Sequence, residues 1–173
     1  MVQIGSVLKQ HLTTERITDT LCEKYVTVAM HGNGVRERNI DIYDPKPFSA
    51  YRVSKGQFIY SRIDARNGAF GVIPENLQNA VVSKDFPVFN IDDNMILPSV
   101  LMFSVLNENF LQQIKRNSLG TTNRQRIKEE VFLKYLIVLP PMNVQKKFDD
   151  IMKQSDKSKF VVSNRNLSRC LGL

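Results

Sequence analysis

The residues best suited to chemistry lie between positions 115 and 128, a stretch with many groups that bind a polyanion. No acidic residue occurs there, and the cations are Lys115, Arg116, Arg124, Arg126 and Lys128. Short polar side chains and one glycine lie between them: Ser118, Gly120, Thr121, Thr122 and Asn123. Cations bind phosphates, amides and hydroxyls hydrogen-bond base edges or phosphate oxygens, and glycine permits close backbone approach. The composition indicates a loop that reads nucleic acid; the alternative is a solvated loop in which Gly120 only ends a helix.

Two elements must position this loop. Before it, apolar residues recur every four positions at Met102, Leu106, Phe110 and Ile114, which predicts one amphipathic helix from about Ser99 to Arg116. After it, residues 135–139 are typical of a buried strand, which the two following prolines close. The loop is therefore predicted to connect a helix to a strand.

A second candidate contact loop follows the predicted strand at residues 25–30. The sequence Gly32-Asn33-Gly34 is a strong turn signal, and Arg36 and Arg38 lie just beyond it. This pattern predicts a hairpin or loop that projects two cations, and an ordinary polar turn fits the pattern equally well.

A third candidate loop divides the two β-rich runs of residues 57–73. Alternation places Phe58, Tyr60 and Arg62 on one half-buried face, with Arg62 close enough to Asp64 to pair with it. Further strands are predicted at residues 80–83 and 86–89, and a short helix or turn at residues 4–10. These elements predict an α+β fold: a strand-rich domain over residues 1–139 with few helices.

The tail, residues 140–173, differs from this body. Asn143 is a plausible N-cap for a helix that runs to about Leu171, and 29 residues at ~1.5 Å each would span roughly 43 Å. Its apolar residues form a narrow stripe: Val144, Phe148, Ile151 and Val162. Such a stripe predicts packing against another helix, so we expect a long C-terminal helix of coiled-coil type that acts as a spacer or dimerisation region.

Composition narrows the class of protein. The 173 residues carry a net charge of +7 and are 42% hydrophobic, which predicts a globular chain with a polyanionic partner. Cys22 and Cys170 are expected to be free thiols, and neither they nor His11 and His31 have the spacing of a metal site, so no metal is predicted. The absence of a long apolar run or leader pattern predicts a soluble, cytoplasmic protein without a membrane partner.

Five segments, in this order and at these separations, resemble a known family. They are HGNGVRERN, then YRVSKGQFIYSRIDARNGAFGVIPENLQNAVVSKDFPVF, GTTNRQRI, LIVLPPMNVQKKFDDI and DKSKFVV. The chain resembles the specificity subunit (HsdS) of type I restriction-modification systems, with one target recognition domain and one conserved helical region. Complete subunits of this family have two of each, so we expect either a half-sized subunit that pairs with a second copy or a fragment of a longer subunit.

The resemblance implies a non-catalytic subunit that directs partners to one half of a bipartite DNA site. Methyltransferase (modification) subunits would bring S-adenosylmethionine, restriction (nuclease-translocase) subunits would bring ATP and Mg²⁺, and this chain would need no cofactor. The sequence contains no phosphate-binding Gly-Lys-Ser/Thr loop and no Asn-Pro-Pro-aromatic methylation motif. Two alternatives are the specificity region of a fused restriction-methylation enzyme and a basic protein-interaction module, while a self-contained enzyme has the least support.

Each DNA-binding residue receives an expected role under this hypothesis. Arg and Asn can make bidentate contacts with base edges, so the residues nearest the bases are expected to be Thr121, Thr122, Asn123 and Arg124. The close approach depends on Gly120. Expected phosphate contacts are Arg36, Arg38, Arg62 and Lys84. Arg126 is assigned to either role.

Overall fold

The computed structural model describes residues 1–39, 46–117 and 126–155 of the 173. The contacts within the chain divide it into two compact units, Met1–Leu139 and Pro140–Leu173. The first unit is strand-rich with few helices, so the predicted α+β class is confirmed. The functional roles predicted for the two units stay predictions.

Short strands make up most of the first unit. They are β1 (Val2–Gln3), β2 (Leu8–Gln10), β3 (Glu15–Ile17), β4 (Val26–Val28), β5 (Val35–Glu37), β6 (Phe48–Arg52), β7 (Phe58–Tyr60), β8 (Phe70–Val72), β9 (Val81–Ser83), β10 (Val88–Ile91) and β11 (Leu136–Ile137). The helices are α1 (Pro98–Leu106), α2 (Glu108–Asn117), α3 (Glu129–Phe132) and, in the second unit, α4 (142–155). Single 3-10 turns occur at Ile4–Ser6, Ala65–Asn67 and Glu75–Leu77.

The strands pair antiparallel in four small sheets. One sheet has the order β2-β10-β7-β8, a second has the order β3-β6-β9, and β4 pairs with β5 as the predicted hairpin. The fourth joins β1 to β11, with Val2 opposite Ile137, so the first and last strands of this unit are neighbours. The pairing of β11 with β1 holds the chain in place a few residues after the predicted reading loop.

Strand β7 is buried on both faces. Phe58 and Tyr60 pack among Phe70, Phe89 and Phe132, with the rings of Tyr60 and Phe132 only 4.4 Å apart. Ile59 points the other way, into a mainly aliphatic cluster that also includes Tyr51. The predicted half-buried face was therefore wrong, because β7 is a central strand between β10 and β8 and is covered on both sides. Its burial makes it a rigid support for the residues that follow it.

The single helix predicted from about Ser99 to Arg116 is two helices. Asn107 has an extended ψ of 141°, and its side-chain Oδ1 accepts a hydrogen bond from the Asn109 N–H at 2.9 Å. Asparagine is a preferred N-cap because its side chain satisfies an unpaired N–H of the next helix, so Asn107 ends α1 and begins α2. The buried residues differ on the two helices: Val100, Leu101 and Val105 on α1, Phe110 and Ile114 on α2.

The chain near residue 4 and helix α4 also differ from the prediction. Residues 4–6 form a 3-10 turn, but residues 8–10 form a strand that pairs with β10. Helix α4 begins after Pro141, whose carbonyl accepts the N–H groups of Val144 and Gln145 at 2.9 and 3.1 Å, so Asn143 lies inside the first turn and is not the N-cap.

The predicted stripe of the tail is only partly visible. Val144 and Ile151 are exposed, Phe148 is half-buried, and Val162 lies outside the described residues. A long coiled-coil helix is therefore not confirmed. No helix in the described ranges has the length and apolar character needed to span a membrane.

Candidate nucleic-acid interface

The connection between β7 and β8, residues 61–69, makes backbone hydrogen bonds to both the turn of the β4–β5 hairpin and the segment that begins at residue 126. It folds tightly on itself, with the Asn67 N–H bonded to the Asp64 carbonyl at 2.9 Å and the Ser61 N–H bonded to the Ala69 carbonyl at 3.1 Å. Gly68 ends its 3-10 turn with a φ of 70°, a left-handed conformation that glycine adopts without strain. The β7–β8 connection is therefore a short, ordered support.

The tip of the β4–β5 hairpin attaches to one end of this connection. The His31 N–H bonds to the Asn67 carbonyl at 2.8 Å, and the Gly32 N–H bonds to the Gly68 carbonyl at 3.0 Å. A Cβ on Gly32 would come within 2.8 Å of Leu106 Cδ1, and φ is +70° there, so this position requires glycine. The predicted hairpin is confirmed, and its turn is positioned by both the connection and helix α1.

Residues 126–129, which we call the loop foot, attach to the other end of the connection. The Ile127 N–H bonds to the Arg62 carbonyl at 3.0 Å, and the Tyr60 hydroxyl donates to the Ile127 carbonyl at 3.0 Å. Burial raises the pKa of Tyr60 well above its usual range, so the phenol keeps the proton that it donates. The Arg62 N–H in turn bonds to the Asp85 carbonyl at 3.0 Å. The backbone of Arg62 therefore joins the loop foot to the turn between β9 and β10.

An inner ion pair joins the side chains of Arg62 and Glu129. Their exposed fractions are 24% and 12%, and Gln10 donates a further hydrogen bond to Glu129 at 3.3 Å. Burial lowers the pKa of Arg62, but the hydrogen bond and charge of Glu129 outweigh that effect, and the net pKa is raised. The predicted pairing of Arg62 with Asp64 was wrong, because the side chain reaches the loop foot instead. Glu129 and partial burial leave less of this guanidinium open to a phosphate than an exposed arginine offers.

An outer ion pair joins Arg126 to Asp85. Arg126 Nε lies 3.0 Å from Asp85 Oδ1, and Arg126 Nη2 donates to Asp85 Oδ2 at 3.2 Å. The side chain of Arg126 is largely in solvent and that of Asp85 is partly so, with exposed fractions of 57% and 40%. The two ion pairs have the same chemistry, but the outer one is the more accessible to a ligand.

The other predicted DNA contacts fall into two groups. Arg36, Arg38 and Lys84 are exposed, and none of them has an ion-pair partner among the described residues. The predicted base-reading residues lie outside the described residues: Gly120, Thr121, Thr122, Asn123 and Arg124. The roles of both groups remain predictions.

Sequence reasoning missed three residues of this site: Tyr60, Asp85 and Glu129. The acidic pair Glu129-Glu130 directly after the basic run was the available signal for Glu129, since a carboxylate there can pair with a cation near the loop. No local pattern reveals that Asp85, 41 residues before Arg126, lies beside it. Within the described residues, no group of three or more His, Cys, Asp or Glu residues is arranged to hold a metal ion.

Comparison with known proteins identifies the family. The model of the type I restriction modification DNA specificity domain matches residues 2–167. The chain therefore belongs to the family of type I restriction-modification DNA specificity domains. A search of curated protein sequences gives no match.

Two solved structures show the same fold. The HsdS subunit from Thermoanaerobacter tengcongensis superimposes with a TM-score of 0.62 at 17% identity, over 92% of this chain and 43% of that one. A chain from a structure concerning complex assembly and conformational transition of the type I R-M system gives a TM-score of 0.57, also at 17% identity and with the same coverage. The protein thus spans less than half the length of the structures that it resembles.

Proposed function

We propose that this chain is a DNA sequence-recognition unit of a type I restriction-modification specificity subunit and reads one half of a bipartite site. The family match over residues 2–167 is the observation that carries the proposal. The arrangement of cations supports it, because the hairpin and the loop foot attach to one connection. Each presents exposed arginine to solvent, and the predicted reading loop comes directly before the loop foot.

The proposed division of labour follows from the type and setting of each side chain. Arg36, Arg38 and Lys84 are exposed cations suited to phosphate, which positions a protein on a duplex without reading its sequence. Thr121, Thr122, Asn123 and Arg124 are proposed to contact base edges, and Gly120 is proposed to permit the close approach. Arg62 is also a proposed phosphate contact, with part of its guanidinium already held by Glu129.

The chain is proposed to be non-catalytic and to act with partner subunits. Methyltransferase subunits would supply S-adenosylmethionine, and restriction subunits would supply ATP hydrolysis. A second copy or a second recognition unit would read the other half-site.

The exposed side chain of Ile151 on α4, with 64% of its surface in solvent, supports packing of the tail against another helix. Val144, Phe148 and Val162 would share that packing.

The first experiment separates base readers from phosphate contacts. A random duplex library is selected with the full chain, and affinity is then measured for a selected duplex and a scrambled one. Arg124→Ala should lose the preference between the two, with about 1 to 3 kcal/mol of discrimination removed. Lys84→Ala should weaken both equally and reduce the salt dependence by about one phosphate contact.

Lys55→Ala is the control, since it changes the net charge by the same amount at the opposite end of β7 from Arg62. Lys55 differs from Lys84 in that it pairs with Glu75 at 2.7 Å. If Arg124→Ala keeps both affinity and preference, the proposed placement of the reading loop is wrong. Mapping methylated adenines in cells with and without this gene tests the wider assembly, because it reveals the half-site, its symmetry and its spacer together.

A further inference from the structure

The way in which Asp85 holds Arg126 leaves one side of the guanidinium open. Asp85 occupies the Nε and Nη2 positions, with donor–acceptor distances of 3.0 and 3.2 Å. A guanidinium has five N–H donors in one plane, so the Nη1 group and the second hydrogen of Nη2 remain available as a parallel pair. Among the described residues, no other group bonds to Arg126. The open side is therefore a two-donor fork directed by a carboxylate.

The backbone fixes both partners of this pair. The Asp85 carbonyl and the Ile127 N–H bond to the N–H and the carbonyl of the same residue, Arg62, each at 3.0 Å. Ile127 is buried, and its carbonyl accepts the Tyr60 hydroxyl. Arg126 therefore projects from an anchored position, and its long side chain loses less rotamer freedom when it binds a ligand than an unsupported arginine would.

An oriented fork suits a base edge better than a phosphate. Phosphate binding needs charge and tolerates many directions of approach. The exposed Lys84 next to Asp85, which has no ion-pair partner in the described part of the chain, can provide that charge. In the major groove, guanine presents O6 and N7 as two acceptors side by side, and a bidentate arginine is the commonest specific partner for them. A carboxylate near DNA is repelled by phosphates, so its presence at this surface is best explained by the orientation that it gives to Arg126.

We propose that Arg126, oriented by Asp85, reads a guanine through its O6 and N7 atoms. Arg126 is then a specificity-determining residue, and Asp85 is its positioning residue. This inference rests on the proposed function, since it assumes that the loop foot faces a DNA major groove.

The test compares DNA motifs selected from a random duplex library by the full chain and by variants of Arg126, Asp85 and Asp93. Arg126→Lys keeps the charge and removes the fork, so enrichment of guanine at one position should fall about 5- to 150-fold, while the rest of the motif persists. Asp85→Asn keeps the shape but weakens the orientation, and the same position should lose about two- to tenfold. Asp93→Asn is the matched control: it makes the same charge change at another exposed aspartate and should leave the motif unaltered.

Three results would count against the proposal. If Arg126→Lys selects the wild-type motif, or if Asp85→Asn and Asp93→Asn behave alike, Arg126 is not an oriented base reader. If Arg126→Ala lowers affinity for selected and scrambled duplexes equally, Arg126 is a phosphate contact. A wild-type chain that selects no motif at all would instead overturn the proposed function on which the inference rests. Circular dichroism of each variant checks that the fold is intact, as expected for side chains that are exposed at Arg126 and Asp93 and partly exposed at Asp85.

Discussion

The hairpin and the loop foot attach to the same connection but present their cations differently. Arg36 of the hairpin has no ion-pair partner among the described residues, and the hairpin is held by backbone hydrogen bonds and by a glycine that fits against Leu106. The loop foot takes part in two ion pairs: its Glu129 holds Arg62 of the connection in the inner pair, and its Arg126 contacts Asp85 in the outer pair. A cation without such a partner can bind an anion from many directions. A guanidinium held by a carboxylate presents its remaining N–H donors to a ligand in one fixed orientation.

This difference teaches that the residues that supply net positive charge need not be the residues that give a preference for one DNA sequence. The charge of +7 predicts a polyanionic partner, but two carboxylates, Glu129 and Asp85, hold Arg62 more buried and Arg126 more exposed. The hairpin would then position the duplex, and the loop foot would discriminate among sequences. Three changes test the two sides of this comparison separately.

The largest expected effect is at the inner pair of the loop foot. Glu129→Ala leaves the guanidinium of Arg62 poorly compensated, and we expect the free energy of unfolding to fall by about 2 to 3 kcal/mol. This is below the roughly 3 to 5 kcal/mol for a fully buried pair, because both groups retain some contact with solvent. Urea denaturation measures the change. The neighbouring exposed residue provides the control, since Glu130→Ala should alter stability by less than about 0.5 kcal/mol. Equal effects of the two changes would show that the inner pair does not hold the loop foot.

A smaller effect is expected where the hairpin packs on β8. A Cβ at Gly71 would lie 2.2 Å from Val35 Cγ2, so Gly71→Ala must push the hairpin away. We expect a loss of about 1 to 2 kcal/mol in the free energy of unfolding, in the lower part of the range for overpacking, because the hairpin can shift. Adding Val35→Ala removes the clashing methyl group and should recover part of the loss. Failure of the double variant to recover any stability would mean that the contact between Gly71 and Val35 does not seat the hairpin.

The smallest effect concerns binding alone. Arg36→Ala should leave stability nearly unchanged, weaken selected and scrambled duplexes equally, and make the salt dependence of affinity shallower by about 0.9 in the log–log slope. Arg16 on β3 is an exposed arginine of another sheet and is the matched control. A loss of sequence preference in Arg36→Ala would erase the distinction between the hairpin and the loop foot.

Local patterns predicted much of the fold. The Gly-Asn-Gly turn predicted the hairpin, and the β-rich runs predicted strands β7 to β10. The prediction failed where tertiary contacts decide the outcome. The four-residue repeat through Met102 and Phe110 does not reveal that Asn107 caps a second helix, and alternation cannot show that β7 is covered on both faces.

The candidate site was harder to predict than the fold. Lys and Arg residues are visible in sequence, but their partners are brought together by sheet pairing across long separations. Glu129 is 67 residues from Arg62, and Asp85 is 41 residues from Arg126. Proximity in sequence predicts an ion pair between Arg62 and Asp64, whereas the partner in the structure is Glu129. Whether an arginine is partly buried, as Arg62 is, or exposed, as Arg126 is, therefore depends on contacts with residues distant in sequence.

The pairing of β1 with β11 has a consequence for how this part of the chain can be exchanged. The entry and exit strands of the first unit lie side by side, one strand spacing or about 4.8 Å apart. A unit whose two ends lie close together can be replaced by another unit of the same fold, because the two points where the chain is joined are neighbours in space. The pairing of β1 with β11 therefore concentrates the structural requirements for such an exchange at one edge of the unit.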